Sequence, residues 1–178
     1  MAAQPVIGSG AFDDLFAAND EFAARFEDKG LPARAARGLA VVTCMDSRID
    51  PFGILGIKAG DAKVLRNAGA RVTDDVVRTL VLAVYLLGVH RVLVMPHTRC
   101  RMAEASDQAI HDLIRREYGV DTRSQDFHTN PDQIAALKHD LVKIHACPLL
   151  PRDLTVGGAL FDVDTGRLVP VPLGQPYD

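Results

Sequence analysis

Residues 39–43 read LAVVT, a short and continuous apolar run that is rich in β-branched residues. Such a run is typical of a parallel strand that is buried on both faces. Two further strand candidates follow, KVLR at 63–66 and VHRVLVM at 89–95. A long amphipathic segment lies between these two, from Thr73 or Asp74 to Leu87, and Gly88 ends it. The alternation of strands and helices predicts a parallel sheet.

The C-terminal part of the sequence predicts a pair of antiparallel strands. Residues 154–162 and 167–171 flank Asp164-Thr-Gly166, which is typical of a strand, a tight turn and an antiparallel return strand. We therefore predict a single α/β domain over residues 1–178. Its three layers are a mainly parallel β-sheet, of about four strands plus a C-terminal antiparallel strand, and flanking helices.

Three more helices are predicted from caps and apolar spacing. Asp50-Pro51 marks the start of a short one, residues 103–118 form the second, and Asn130-Pro131 opens the third. Residues 1–30 form an N-terminal helical arm. Its phenylalanine and leucine residues recur at helical spacing, which fits packing into the core or onto a partner subunit: Phe12, Leu15, Phe16, Phe22 and Phe26.

Composition narrows the class of protein. The net charge is -3, from 20 basic and 23 acidic residues, so nothing indicates binding to nucleic acid or to an anionic membrane. Three cysteines are too few for a disulfide framework and favour a metal-binding or catalytic role in a reducing cytoplasm. No secretory signal, membrane-spanning run or nucleotide-binding glycine loop is expected.

Four potential metal ligands follow two of the predicted strands. Cys44 and Asp46 come directly after the first, and His97 and Cys100 come after the third. The carboxyl ends of parallel strands meet at one edge of a sheet, so we expect these side chains to converge. Two thiolates and an imidazole suit zinc and leave one tetrahedral position open, which is typical of a catalytic site. Taken alone, Cys44 could equally be an inert buried thiol. Taken alone, His97 could be a loop histidine whose ring is satisfied by hydrogen bonds.

The segments that contain these four residues resemble the motifs of a known family. Cys44-Met-Asp-Ser-Arg48 resembles the Cys-x-Asp-Ser/Ala-Arg signature of β-carbonic anhydrases, and His97-Thr-Arg-Cys100 resembles their His-x-x-Cys. Between them, Gly60-Asp61-Ala62 and Arg66-Asn67-Ala68-Gly69 are similar to a third block of the family. The resemblance is densest from residue 39 to residue 102.

The resemblance implies one zinc ion per subunit, held by Cys44, His97 and Cys100. Asp46 is then expected to pair with Arg48 and to be able to swing onto the fourth coordination position of the metal. It also implies a homodimer or a higher homo-oligomer. The expected reaction is the reversible hydration of carbon dioxide to bicarbonate and a proton by a zinc-bound hydroxide.

Two alternatives stay open. Hydrolases of carbonyl sulfide and carbon disulfide share these motifs. Arg99 and Arg101 are not the residues that β-carbonic anhydrases usually have at these two positions, and they could change the shape and charge of the pocket. The two arginines fit a solvated or interface role equally well. A non-catalytic zinc scaffold, with Asp46 as a permanent fourth ligand, is the alternative from another class.

Overall fold

The computed structural model describes residues 10–27 and 30–172, which divide into an N-terminal unit up to Leu31 and a main unit from Pro32 onward. The N-terminal unit contains helix α1 (Asp13–Ala24), in which no residue is buried. The remainder of the predicted arm, residues 1–9 and 28–29, lies outside the described residues. Phe26 lies beyond the end of the helix, and its ring centroid is 5.4 Å from that of Phe22.

The main unit is built on a five-stranded sheet, in which the strands have the order β2-β1-β3-β4-β5. β1 to β4 are parallel, and β5 pairs antiparallel with β4. This arrangement confirms the predicted fold class. The strands are β1 (Leu39–Cys44), β2 (Ala62–Asn67), β3 (Arg91–Met95), β4 (Thr155–Phe161) and β5 (Leu168–Val171).

Helices connect the strands of the main unit. They are α2 (Pro51–Leu55), α3 (Asp74–Leu87), α4 (Arg101–Glu104), α5 (Asp107–Tyr118) and α6 (Gln133–His145). A 3₁₀ turn, Ala68–Ala70, follows β2. As predicted, Asp50 caps α2 and Gly88, in the left-handed conformation, ends α3. Within residues 10–27 and 30–172, no helix has the length and apolar character that a membrane span requires.

The single helix predicted over residues 103–118 is wrong, because two helices occupy this region. Ala105 is extended, with φ −139° and ψ 153°, and it interrupts the helix after α4. Ser106 then caps α5, since its side chain accepts a hydrogen bond from the backbone N–H of Ala109 at 3.2 Å. This local capping prevails over the continuous helical spacing of the apolar residues.

Helices cover both faces of the sheet. Val41 and Val42 of β1 point to opposite faces and are fully buried. Val42 belongs to a cluster with Leu80 of α3 and Leu141 of α6. Val41 belongs to a second cluster, against which Ile54 of α2 packs. The sheet therefore forms the middle of three layers.

The strand order brings the ends of β1 and β3 together. The chain continues from β1 to β2 on one side and from β3 to β4 on the other, so the connections diverge between β1 and β3. Thr43 lies opposite Met95 in the parallel register, and its hydroxyl donates to the Met95 carbonyl at 2.8 Å. The segments that follow Cys44 and Met95 therefore leave the sheet side by side, at the point where α/β folds commonly bind ligands.

Candidate metal centre

Three potential metal ligands converge at this edge of the sheet. The ligand atoms of Cys44, His97 and Cys100 all lie within 4.8 Å of one another, and all three residues are buried. Cys44 is the last residue of β1, and His97 and Cys100 lie in the loop that joins β3 to α4. The two loops that the sequence indicates therefore meet in the folded chain.

The spacing of the sulfur atoms suits a tetrahedral ion. Cys44 Sγ and Cys100 Sγ are 4.0 Å apart. Zinc–sulfur bonds of about 2.3 Å at a tetrahedral angle place two thiolates about 3.8 Å apart. Only a small adjustment would let both thiolates bind one zinc ion.

The orientation of His97 also fits a metal ligand. Its Nδ1 lies 2.8 Å from the Thr98 carbonyl oxygen, which can only accept, so Nδ1 carries the hydrogen. The lone pair is therefore on Nε2, which is buried and has no hydrogen-bond partner among the described residues. A buried polar atom without a partner costs free energy unless it binds something. Two sulfur atoms beside a free imidazole nitrogen fit a zinc ion.

The two thiols of the cluster ionise differently. The hydrogen bond from Cys100 lowers the pKa of the Cys44 thiol to about 4, although burial acts in the opposite direction. The same hydrogen bond, together with burial, raises the pKa of the Cys100 thiol. The backbone N–H of Gly69 also donates to Cys44 Sγ at 3.4 Å. The pair therefore shares one proton, which a divalent metal would displace on binding.

Asp46 is held by Arg48. The Arg48 Nε donates to Asp46 Oδ1 at 2.9 Å, and Nη2 donates to Oδ2 at 2.8 Å. The backbone N–H of Arg48 adds a third hydrogen bond, to Oδ1 at 2.9 Å. These bonds hold the pKa of the Asp46 carboxyl well below its usual range. Asp46 Oδ2 lies 3.7 Å from His97 Nε2, so the carboxylate stands beside the imidazole without bonding to it. Asp46 does not belong to the group of three ligand atoms that lie within 4.8 Å of one another.

Arg66 supports the Cys44 loop, a role that sequence reasoning missed. Its Nε donates to the Cys44 carbonyl at 2.9 Å, and its Nη2 donates to the Asp46 carbonyl at 2.7 Å. One guanidinium therefore fixes the backbone on both sides of Met45. Pairing of Thr43 with Arg66 in the β1–β2 register places it there. An arginine at the end of an apolar strand is the signal that could have found it.

Two further contacts support the backbone around the cluster. Gln133 of α6 donates from its side-chain nitrogen to the His97 carbonyl at 2.7 Å, a contact that no sequence pattern indicates. Asn67 bonds to both the N–H and the carbonyl of Arg71, at 2.9 and 2.7 Å. Arg71 in turn forms a two-pronged ion pair with the buried Asp140. This network holds the 3₁₀ turn at 68–70 against Cys44.

The two unusual arginines are exposed at the surface, each in an ion pair. Arg99 Nε lies 3.1 Å from Asp164 Oδ2, and Arg101 Nη1 lies 3.0 Å from Glu104 Oε2. Arg101 therefore fits the solvated role. The backbone of Arg99, in contrast, touches the site, because its carbonyl accepts from Arg48 Nη2 at 3.0 Å.

Known proteins match this chain in sequence and in fold. Residues 39–168 match the family model for carbonic anhydrase. Beta-carbonic anhydrase 1 of Mycobacterium tuberculosis is 37% identical over 157 residues, which are 88% of this chain and 94% of that protein. A carbon disulfide hydrolase of Saccharolobus solfataricus is 30% identical over 165 residues, 79% of each protein.

A solved structure agrees with these sequence matches. The crystal structure of carbonic anhydrase from Streptococcus mutans superposes with a TM-score of 0.87 and 36% identity, over 93% of this chain and 100% of that chain. The likeness therefore extends over almost the whole of this chain. The chain belongs to the β-carbonic anhydrase family.

Proposed function

We propose that the protein binds one zinc ion through Cys44, His97 and Cys100 and catalyses the reversible hydration of carbon dioxide to bicarbonate and a proton. The observation that carries this proposal is the convergence of two sulfur atoms with an imidazole Nε2 that has no other partner among the described residues. Three protein ligands leave a tetrahedral position for water or substrate, as in catalytic zinc sites. Membership of the family supports the same reaction.

Asp46 and Arg48 have separate tasks in this proposal. A bound zinc ion would act as a Lewis acid and lower the pKa of a water molecule toward neutrality. Two thiolates formally cancel the charge of the ion, so a hydrogen-bond acceptor that orients this nucleophilic water gains importance. Asp46 is that acceptor, because its Oδ2 lies beside the ligand cluster. Arg48 holds the carboxylate in place through two parallel hydrogen bonds.

The contacts of Asp46 argue against a closed, non-catalytic zinc scaffold. Both of its carboxylate oxygens accept hydrogen bonds from Arg48. To become a permanent fourth ligand, Asp46 would have to give up at least part of this pairing. The arrangement supports an open resting site, with closure as a second state of the same carboxylate.

Hydrolysis of carbonyl sulfide or carbon disulfide on the same zinc ion is the second candidate. It is favoured by the 30% identity to a protein named carbon disulfide hydrolase. Carbon dioxide is the preferred substrate in our proposal. The identity to Beta-carbonic anhydrase 1 is higher, at 37%, and that match covers more of both chains.

A comparison of substrates on protein of defined metal content tests this choice. We expect the zinc-loaded protein to hydrate carbon dioxide in stopped flow, to lose this activity when a chelator removes the metal, and to regain it with added zinc. Release of sulfide from carbonyl sulfide is expected to be slower. Full activity without metal would refute the zinc mechanism, and faster release of sulfide would make the hydrolase the principal activity.

We also propose that the protein is a homodimer or a higher homo-oligomer, in which the arm at residues 1–30 packs on the partner subunit. The support is the exposure of the apolar side chains of α1 and its flanks, such as Phe12, Leu15, Phe16 and Phe22. Large aromatic side chains contribute strongly to interfaces when they are buried. Sedimentation equilibrium should show a dimer or a higher oligomer for the full chain and a smaller species for a chain without residues 1–31. A monomeric full chain would contradict the proposal.

A further inference from the structure

The turn between β4 and β5 contacts the loop that carries His97 and Cys100. The Thr98 N–H donates to the Phe161 carbonyl at 2.9 Å, and the Val163 N–H donates to the Thr98 hydroxyl at 3.1 Å. The last contact in this series is the ion pair between Arg99 and Asp164. The segment therefore contacts both residues that lie between the two potential metal ligands, Thr98 and Arg99.

Arg99 has an unfavourable backbone conformation. Its φ of 54° is in the left-handed region, which residues with a side chain rarely adopt. Such a conformation persists where surrounding contacts hold it. The ion pair between Arg99 Nε and Asp164 Oδ2, at 3.1 Å, is one such contact.

The conformation of Arg99 decides where its carbonyl points. This carbonyl accepts from Arg48 Nη2 at 3.0 Å, and the same nitrogen donates to Asp46 Oδ2 at 2.8 Å. If residue 99 relaxed to an extended or right-handed conformation, its carbonyl would turn and Arg48 would lose this acceptor. The grip of Arg48 on Asp46 would then weaken.

We infer that Arg99 and Asp164 form a positioning pair, which keeps the Asp46 carboxylate on Arg48 and away from the metal. The inference rests on the proposed zinc site, and it assigns a role to the β4–β5 turn in keeping one metal position accessible. Arg99 acts through its backbone and through Arg48, so it is not a catalytic residue. Its side chain is 67% exposed and that of Asp164 is 50% exposed, and ion pairs of this kind contribute little to global stability.

Binding of azide to the cobalt(II)-loaded protein tests the inference without turnover. Azide changes the visible absorption of cobalt when it takes the accessible position, and Asp46 competes with it when Asp46 occupies that position. We expect Arg99→Ala and Asp164→Asn each to weaken azide binding about fivefold, which equals ~1 kcal/mol. The midpoint of thermal unfolding should stay within about 2 °C of the wild type.

Arg99→Gly separates the ion pair from the backbone strain. Glycine adopts the left-handed conformation readily, so this variant should regain most of the azide affinity that Arg99→Ala loses. Arg123→Ala is the matched control, because it removes an arginine–aspartate pair of similar exposure, with Asp121. If Arg99→Ala and Arg99→Gly bind azide alike, or if Asp164→Asn binds it as the wild type does, the inference is wrong.

This experiment distinguishes the inference from the proposed function. A protein that shows the expected azide series but no hydration of carbon dioxide would keep the positioning pair and overturn the proposed reaction. Normal hydration of carbon dioxide with unchanged azide binding in all variants would overturn the positioning pair and keep the proposed reaction. A wild type that takes up no cobalt would overturn both.

Discussion

Replacement of His97 by alanine should leave the protein folded but unable to retain zinc. The imidazole supplies the one nitrogen ligand of the cluster. Its Nε2 has no other partner among the described residues, so the substitution removes a metal ligand and breaks no hydrogen bond of Nε2. Cys44→Ser and Cys100→Ser should have the same result, because a serine hydroxyl is a poor zinc ligand at neutral pH. Metal analysis should give about one zinc per wild-type chain and less than about a tenth of that in each variant.

Cys147→Ser is the control for these variants. Cys147 is the remaining cysteine of the chain and packs half-buried against the main core, away from the cluster. We expect this variant to keep its zinc and its rate of carbon dioxide hydration, while the three ligand variants fall to the uncatalysed rate. Retention of full zinc and full rate by any of the three would exclude that residue from the site.

Asp46→Asn should keep zinc and lose most of the turnover. Asparagine has nearly the same shape, but its amide replaces one acceptor oxygen with a donor that faces the Arg48 guanidinium. Loss of a group that orients a reacting proton typically costs 10²–10⁴-fold, so we expect a fall of about 10²-fold in kcat. Zinc content and stopped-flow hydration, measured on the same sample, check both parts.

Asp121→Asn is a closely matched control for Asp46→Asn. Arg123 holds Asp121 through its backbone N–H, its Nε and its Nη2, the same pattern by which Arg48 holds Asp46. The control therefore removes an equivalent aspartate–arginine contact far from the metal ligands in sequence. We expect its kcat to stay within about twofold of the wild type, as for most surface substitutions. Equal losses in the two variants would show that Asp46 has no special role.

The low pKa of Asp46 determines the pH range in which its contact with Arg48 is present. Because Arg48 depresses this pKa in the folded protein, the Asp46–Arg48 contact is present above the unfolded value of about 3.9 and is lost only as the pH falls through the folded value. Asp46 is therefore ionised throughout the neutral and alkaline range. The rate of carbon dioxide hydration should still rise with pH, since the nucleophilic water must lose a proton. A rate that stays flat across neutral and alkaline pH in stopped flow would contradict the need for this proton loss.

Much of the fold could be predicted because periodicity and burial agree. The apolar run at 39–43 predicted β1 to within a residue, since a strand buried on both faces carries few polar interruptions. The segment at 63–66 predicted β2 equally well, although β2 is an edge strand without a fully buried residue. The helix over 103–118 failed for a local reason. A single capping hydroxyl, Ser106, starts α5 and leaves α4 as a separate short helix.

The candidate site, like the fold, was predictable from the sequence only in part. The positions of Cys44, His97 and Cys100 after two strands predicted that they would meet, because parallel strands end at one edge. The position of Arg66 at a strand end could have marked it as a candidate, but its hydrogen-bond partners and those of Gln133 were not predictable. They depend on strand register and on the docking of α6, which connect residues that are distant in sequence.

Two sulfur atoms and one imidazole should hold a single zinc ion and leave one position for an exchangeable oxygen. X-ray absorption at the zinc edge of the loaded wild type measures this coordination directly. We expect two sulfur atoms at about 2.3 Å and two lighter atoms at about 2.0–2.1 Å, one of which is replaced when azide is added. A coordination shell without sulfur, or one that azide leaves unchanged at every pH, would contradict a zinc site of this kind.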